Sequence, residues 1–250
     1  MKDVIHTQWL AFRLFLGIFK DLQKGPIRLQ DILHQCAQMA IGSLPLVVIS
    51  TAFAGLVVTT QMAHHMDLAL SNTSMIPGFS GQFILRELGT AIPAMLMVAK
   101  VGASIAAEVS TMKITDQIDA LKLLRIDPVR YLLIPRFFAS IFALSSLTLI
   151  AIFVTLLFSG AVAVISYGYN PTEYLNHFKQ FVSFTDFLCA FTKSVVFGAV
   201  IPCIACAYGL RCRGGAEGVG LSTTNAVVGA TVTVVFWDFL ITAFFSTLYH

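Results

Sequence analysis

Two long stretches of this chain contain no Asp, Glu, Lys or Arg, and they restrict its fold more than any other feature. They cover residues 32–66 and 137–172. Each exceeds the ~20 residues that a helix needs to cross the hydrocarbon of a bilayer. A backbone inside lipid must satisfy its own hydrogen bonds, so such stretches form helices there. The pattern predicts an all-α membrane protein.

The composition excludes several other classes. The chain is 57% hydrophobic and 12% charged, whereas ordinary soluble domains are about 25% charged. Its formal net charge of +3 is small, and no basic run interleaved with aromatic residues indicates nucleic-acid binding. A soluble domain or a nucleic-acid-binding protein is therefore not expected.

Five spanning helices follow an N-terminal amphipathic segment. We predict the spans at Met39–Met66, Phe83–Met112, Tyr131–Tyr167, Phe187–Leu210 and Ser222–Thr247. Residues 1–25 form a separate helix with basic residues on one stripe, which is typical of a helix lying in the membrane interface. A first transmembrane helix is the alternative for this segment, and no cleavable signal peptide is evident. Gly25-Pro26 breaks the chain before the transmembrane domain, residues 26–250.

Basic residues predict the orientation of these spans. Lys and Arg are concentrated before the first span, in the connection between the second and third, and after the fourth. The other side has only Arg86, Lys179 and Lys193. The positive-inside rule then places the N-terminus in the cytoplasm and the C-terminus outside.

Several charges nevertheless fall inside the predicted spans. Each costs roughly 2.5–3.5 kcal/mol at the centre of a bilayer, so such residues usually face a protein interior or a water-filled path. Arg86, Glu87, Lys193 and Asp238 lie at similar depth, in the outer half of three spans. Two interpretations stay open for them: a functional cavity, or buried ion pairs that orient the helices.

A second polar group lies on the inner half of the second span. Lys100, Ser104 and Glu108 are spaced by four residues, so they share one helix face and form a buried polar stripe. Ala99, Ala103 and Ala107 run beside them, and small residues at this spacing allow another helix to approach closely.

The connection after this span predicts a short helix. Thr115 can cap it, and Asp116 and Asp119 then fall in its first turn, where carboxylates suit the helix dipole. Ile114, Ile118 and Leu121 make one apolar side. A helix with an apolar edge and an acidic face could dock on a partner or simply lie at the interface.

Other motifs indicate no catalytic or cofactor site. Cys203 and Cys206 have the C-x-x-C spacing, but with no second pair or nearby His we interpret them as packing residues rather than a metal or redox site. The glycine-rich segment 214–220 lacks the Lys-Ser/Thr ending of a P-loop. We predict no metal, no cofactor and no enzymatic activity.

Two long segments resemble the MlaE family of permeases, the membrane subunits of MCE-associated lipid ABC transporters. The first is ELGTAIPAMLMVAKVGASIAAEVSTMKITDQIDAL, and the second runs from KSVVFGAVIPCIACAYGLRCRGGAEGVGLSTTNAVV to WDFLIT. The likeness covers the chain from about Pro26 onward. It departs from the family pattern at Thr90, Lys100, Ser110 and Asp116, where the family usually has Pro, Arg, Gly and Glu.

The resemblance implies a homodimer of permeases in the bacterial inner membrane. It also implies two cytosolic ABC ATPase subunits, a periplasmic MCE-domain ring and, in some systems, a STAS-domain protein. The expected activity is ATP-driven movement of lipid between the inner and outer membranes, which maintains outer-membrane lipid asymmetry, and phospholipid is the cargo that the resemblance implies.

The same resemblance assigns roles to individual residues. The family's motif near its lipid pocket matches Arg86, Glu87 and Leu88, and its polar positions on the fourth and fifth spans match Lys193 and Asp238. Apart from the resemblance, we also expect lipid to contact Leu56, Val57 and Gln61. The ATPase is expected to contact a coupling helix that includes Thr115, Asp116, Gln117, Ile118, Asp119 and Leu121.

Two rival classes stay open on the residues alone. An intramembrane lipid-modifying enzyme could use His64 and His65 as bases, near Asp67. An ion- or proton-coupled carrier could use Lys100 and Glu108 as a relay. The second class predicts transport that depends on an ion gradient and needs no ATPase.

Overall fold

The structure is a computed structural model that describes residues 2–21, 29–70 and 76–248. These residues form eight helices and no strand. In chain order they are α1 Lys2–Asp21, α2 Leu29–Leu70, α3 Ile76–Ile114, α4 Gln117–Leu123, α5 Val129–Tyr167, α6 Pro171–Phe181, α7 Phe184–Leu210 and α8 Gly215–Leu248.

Five of these helices, α2, α3, α5, α7 and α8, are long and apolar enough to cross a membrane. The predicted all-α class and the five spans are therefore confirmed, together with an N-terminal helix. The first span begins at Leu29 rather than Met39, because helical hydrogen bonding continues beyond the apolar stretch. The predicted domain boundary at residues 25 and 26 lies outside the described residues, as do Lys24 and Arg28.

Helix α3 begins at Ile76, seven residues before the predicted start at Phe83. Pro77 is tolerated in the first turn, where its missing N–H would have no partner. Gly78 and Gly81 lie against α6: a Cβ on them would come within 2.3 Å of Phe181 and 2.5 Å of Phe178. These glycines therefore mark a close helix contact rather than a loop.

Two spanning helices contain π-helical turns. In α3 these turns cover Ile84–Leu88 and Val98–Gly102, and in α5 one covers Val129–Leu133. Pro135 follows the last of them, and local π adjustment is one way in which membrane helices accommodate proline. Such turns often lie at functional sites.

The contacts divide the chain into two compact units. Unit 1 contains Met1–Ser43, Met95–Leu144 and Val195–Trp237, and unit 2 contains Leu44–Ala94, Ser145–Ser194 and Asp238–His250.

In unit 2, α2 and α5 pack backbone to backbone. A Cβ on Gly55 would lie 2.4 Å from the carbonyl oxygen of Thr155, so only glycine permits this approach. One helical turn further along α2, Thr59 donates to Ser159 at 2.7 Å, and the Ser159 hydroxyl contacts that of Tyr174 at 3.3 Å. Small residues and hydroxyl pairs are the usual means of joining helices in lipid.

In unit 1, α1 is held along one side. Ala11, Leu14 and Ile18 are buried, and Arg211 donates to Thr7. The opposite side exposes Trp9, Phe12 and Leu16, with the Arg13 guanidinium 4.6 Å from the centre of the Trp9 ring. The helix has an apolar face on each side, and its location in the membrane interface stays a prediction.

Candidate functional site

A cluster of five charged side chains lies in unit 2, and we call it the ion-pair cluster. Its members are Arg86 and Glu87 of α3, Asp186 and Lys193 of α7, and Asp238 of α8. The sequence predicted that four of them lie at similar depth, and the structure brings those four together.

Lys193 is at the centre of the ion-pair cluster and its side chain is fully buried. Three oxygen atoms surround its Nζ: the Arg86 carbonyl at 2.6 Å, Glu87 Oε1 at 3.1 Å and Asp238 Oδ1 at 2.8 Å. The first two contacts are hydrogen bonds that the ammonium group donates, and the contact with Asp238 is an ion pair. Thr242, one turn after Asp238, also donates to Glu87 Oε1 at 3.1 Å.

Arg86 has a separate carboxylate partner that the sequence analysis missed. Its Nε donates to Asp186 Oδ1 at 2.6 Å, and the Asp186 side chain is fully buried. Asp186 Oδ2 accepts from the backbone N–H of Ser183 at 2.9 Å, immediately before α7 begins. Ser183-x-x-Asp186 before an apolar run is a capping-box signature, and this signal could have identified Asp186.

The ion-pair cluster contains three carboxylates and two cations. Each group is paired, which is how charges persist within membrane-spanning helices. With every group ionised the set carries one negative charge, so it is not a simple cationic pocket. Arg86 and Glu87 lie in the π-helical turn Ile84–Leu88, and both side chains pair with residues of α7.

The other predicted lipid contacts lie apart from these charges. Leu56, Val57 and Gln61 are on α2, where Val57 and Gln61 are exposed and Leu56 is half-buried. Leu88 is half-buried on α3. Among the described residues, no hydrogen bond joins Gln61 to the ion-pair cluster. A role for these four residues in binding lipid stays a prediction.

The polar stripe of α3 is not buried in the single chain. Lys100, Ser104 and Glu108 are all exposed, so the description of the stripe as buried was wrong. Its small neighbours leave the polar side chains uncovered. Arg136 of α5, which is buried, pairs with Glu108 through Nη2 and Oε1 at 2.6 Å, and Lys100 donates to the carbonyl of Gly42.

The predicted short helix is present as α4, but two details of the prediction were wrong. The Thr115 hydroxyl donates backwards to the carbonyl of Thr111 at 2.9 Å, so it does not cap α4. Asp116 precedes α4 in a left-handed conformation, with φ of 57°, and makes no capping bond with its side chain. Asp119 does lie in the first turn.

Charges and apolar groups on α4 are arranged differently from the prediction. Asp119 pairs with Lys122 at 2.6 Å and Lys113 at 3.2 Å, and their hydrogen bonds lower the pKa of this carboxyl. Ile118 is buried, whereas Leu123 and Leu124 are 86% and 70% exposed. The exposed apolar residues are therefore at the end of α4, and Gln117, although exposed, is polar.

A further helix, α6 Pro171–Phe181, was not predicted from the sequence. This amphipathic helix belongs to unit 2 and packs against the other helices of that unit through Tyr174, which is buried. Burial raises the pKa of the Tyr174 hydroxyl. Asn170-Pro171, a helix-start signal, could have predicted it.

The residues proposed for the rival activities are placed differently. His64 and His65 are exposed on α2 with ring centres 6.1 Å apart, and the side chain of Asp67 lies outside the described residues. Cys203 and Cys206 are buried in α7 as free thiols. Within the described ranges, no three His, Cys, Asp or Glu side chains form a group suited to a metal.

Comparisons with known proteins cover nearly all of the chain. The family model described as Permease MlaE matches residues 32–244. A probable ABC transporter permease protein of Synechocystis is 35% identical over 231 residues, 92% of this chain and 88% of that protein. One of Rickettsia typhi is 34% identical over 250 residues, 97% of this chain and 96% of that protein.

A plant protein is similar as well. Protein TRIGALACTOSYLDIACYLGLYCEROL 1, chloroplastic, of Arabidopsis thaliana is 34% identical over 222 residues, which are 89% of this chain and 63% of the plant protein. The family match, the permease relatives and the five spanning helices agree, and we conclude that this chain is an ABC transporter permease of the MlaE family.

Proposed function

We propose that this permease moves phospholipid across or out of a membrane, driven by ATP that separate subunits hydrolyse. The observation that carries the proposal is the ion-pair cluster, where Lys193 is enclosed by oxygen atoms on membrane-spanning helices. Family membership supports it. The name of the Arabidopsis relative also contains the name of a diacylglycerol lipid.

The lipid headgroup would bind at Arg86 rather than at Lys193. All three oxygens around Lys193 belong to the protein, so this ammonium positions Glu87 and Asp238. The Arg86 side chain is 28% exposed, and a guanidinium can form strong paired hydrogen bonds with phosphate. Leu56, Val57, Gln61 and Leu88 would contact the rest of the lipid.

Coupling to ATP hydrolysis would run through α4. ABC permeases work with ATPase subunits, and α4 is joined to α3 and α5 by short connections. We propose that the segment from Thr115 to Leu121 docks on the ATPase, and that Leu123 and Leu124 extend the docking surface. Movement of α4 would then shift α3 and α5.

The full assembly that we propose has further members. Two copies of this chain would pair in a bacterial inner membrane, with the N-terminus in the cytoplasm. A periplasmic MCE-domain ring would pass lipid onward, and a STAS-domain protein could join on the cytosolic side. Such a complex would maintain the lipid asymmetry of the outer membrane.

Purification of the chain from its own membranes in mild detergent tests this proposal. We expect an ABC ATPase and an MCE-domain protein to copurify, and ATP to drive lipid transfer by the reconstituted complex. Transfer that follows an imposed proton gradient and ignores ATP would contradict it. That outcome would favour the second candidate function, an ion-coupled carrier. The observation in favour of such a carrier is that the ion-pair cluster has one more carboxylate than it has cations.

Reversal of charge at Glu87 tests the place of binding. Glu87→Lys should reduce the amount of lipid crosslinked at residue 88, because the new positive charge repels Lys193 and disrupts the ion-pair cluster. Glu173→Lys, on the exposed face of α6, is the matched control and should leave crosslinking unchanged. Equal crosslinking in the two variants would remove the ion-pair cluster from the lipid site.

A further inference from the structure

Lys100 is a second cation on a spanning helix, and it lies in unit 1. Ile114, the last residue of α3, comes fourteen residues later, which is about 21 Å along a helix axis. The hydrocarbon of a bilayer is about 30 Å thick. Lys100 therefore lies in the central part of the 39-residue span, which is the part that we expect to cross the hydrocarbon.

The surroundings of Lys100 leave its charge unbalanced. Its Nζ donates to the carbonyl of Gly42 on α2, and no carboxylate of the described residues lies within 4.0 Å of it. The side chain is exposed. Lys193 and Arg136, in contrast, each have a carboxylate partner. A charged amine at this depth usually faces protein, water or a ligand.

The helix surface around Lys100 is open and partly polar. Ser104 lies one turn further along α3 on the same exposed face, and Ala99 and Ala103 beside it have no bulky side chain. Lys100 also lies in the π-helical turn Val98–Gly102. The other such turn of α3 contains Arg86 and Glu87, so each π-helical turn in α3 contains charged residues.

We propose that Lys100 and Ser104 bind the phosphate of a phospholipid headgroup, at a site separate from the ion-pair cluster. The inference rests on the proposed lipid transport and adds a second contact for the same cargo. The Lys100 ammonium supplies the charge that a phosphate needs, and the Ser104 hydroxyl supplies one more donor. Phospholipid is the anion that a membrane offers at high concentration, and its acyl chains suit the alanine surface.

A photoreactive crosslinker at Ala103 tests the site in the purified complex. The probes are radiolabelled phosphatidylglycerol and, in a parallel sample, radiolabelled diacylglycerol, each in detergent micelles that have replaced the bulk lipid. Phosphatidylglycerol should label Ala103 and diacylglycerol should not. Lys100→Met should lower the label about tenfold, the effect of losing a hydrogen bond to a charged group, and Lys100→Arg should retain it.

Two controls separate the possible outcomes. A crosslinker at Leu88 reports on the ion-pair cluster, and copurification of the ATPase subunit shows that each variant has folded. Label at Leu88 but not at Ala103 overturns this inference alone, whereas no label at either position overturns the proposed function as well. The inference is also overturned if Lys100→Met and the parent are labelled equally, or if Ala103 crosslinks to a second copy of the chain.

Discussion

The ammonium group of Lys193 on α7 is enclosed by a backbone carbonyl and a carboxylate of α3 and by a carboxylate of α8, so three helices meet at this group. This arrangement differs from a surface ion pair, because the cation is fully buried and its removal leaves two half-buried acids without their cationic partner. Loss of one member of a buried ion pair costs far more than loss of an exposed pair.

Lys193→Met should therefore lower the free energy of unfolding by about 3–5 kcal/mol. Thermal unfolding of the detergent-solubilised protein measures the effect. Lys179→Met, on the exposed face of α6, is the control and should stay within about 0.5 kcal/mol of the parent.

A neutral variant separates stability from function. Combining Lys193→Met with Glu87→Gln and Asp238→Asn removes the uncompensated charges, so most of the lost stability should return while lipid crosslinking stays low. A triple variant that is no more stable than Lys193→Met would show that packing, rather than charge pairing, gives this lysine its importance.

At the scale of helices, close glycine contacts fix how α2 and α5 pack in unit 2. Gly55→Ala would place a Cβ 2.4 Å from the Thr155 carbonyl, and such overpacking typically costs about 1–3 kcal/mol. Gly220 of α8 has no atom near its ideal Cβ, so Gly220→Ala should instead stabilise the helix by about 0.5–1 kcal/mol. The midpoint temperature of thermal unfolding should fall for Gly55→Ala and rise for Gly220→Ala, and a fall for both variants would contradict this account.

The exposed end of α4 should carry much of the contact with the ATPase. Leu123→Asp together with Leu124→Asp should reduce ATPase copurification and uncouple ATP hydrolysis from lipid transfer, while the permease stays folded because both side chains are exposed. Leu175→Asp, on α6, makes the same chemical change at another exposed leucine and serves as control. Undiminished copurification would place the docking surface elsewhere.

The pH dependence of α4 follows from Asp119. Hydrogen bonds from Lys122 and Lys113 lower the pKa of this carboxyl, so the ionised form is favoured in the folded protein. Its stabilising contribution is present above the ordinary aspartate pKa of about 3.9, and it is lost as the pH falls through the lowered value.

Amide exchange in α4, corrected for its intrinsic pH dependence, should therefore show constant protection between about pH 5 and 8. Protection should fall only in stronger acid, and Asp119→Asn should remove that acid-dependent step. A step near neutral pH in the parent would contradict the role given to Asp119.

Element-level features were predictable where one physical signal dominated. The five spans follow from apolar length, and the depth of Arg86, Glu87, Lys193 and Asp238 follows from their positions in those spans. Asp186 and Arg136 were missed as partners because pairing depends on which helices are neighbours, and spacing along one helix does not contain that information. The π-helical turns were missed for the same reason, since they arise from packing and proline geometry.

For the whole molecule, the five spans place the connections before and after α5 on opposite sides of the membrane. We predict that Leu123→Cys is reached by an impermeant maleimide only from the cytoplasm and that Leu175→Cys is reached only from outside. Both positions are exposed, whereas four of the five native cysteines are buried and Cys36 is partly so.

Labelling in intact and permeabilised cells measures this difference, with the parent chain as control for Cys36. Reaction of both cysteines from one side would contradict the arrangement of the spans. The reverse pattern would leave the spans intact and invert the orientation.

The enclosure of Lys193 also restricts how a transporter of this kind can move. Its three oxygen partners hold neighbouring parts of α3, α7 and α8 together. Separating any one of these helices from the others would leave an unpaired charge in the hydrocarbon. Those stretches should consequently travel as a single rigid block during the transport cycle. The transporter must then open and close at other helix–helix contacts that contain no ion pair, where sliding of one helix along another breaks only weak contacts.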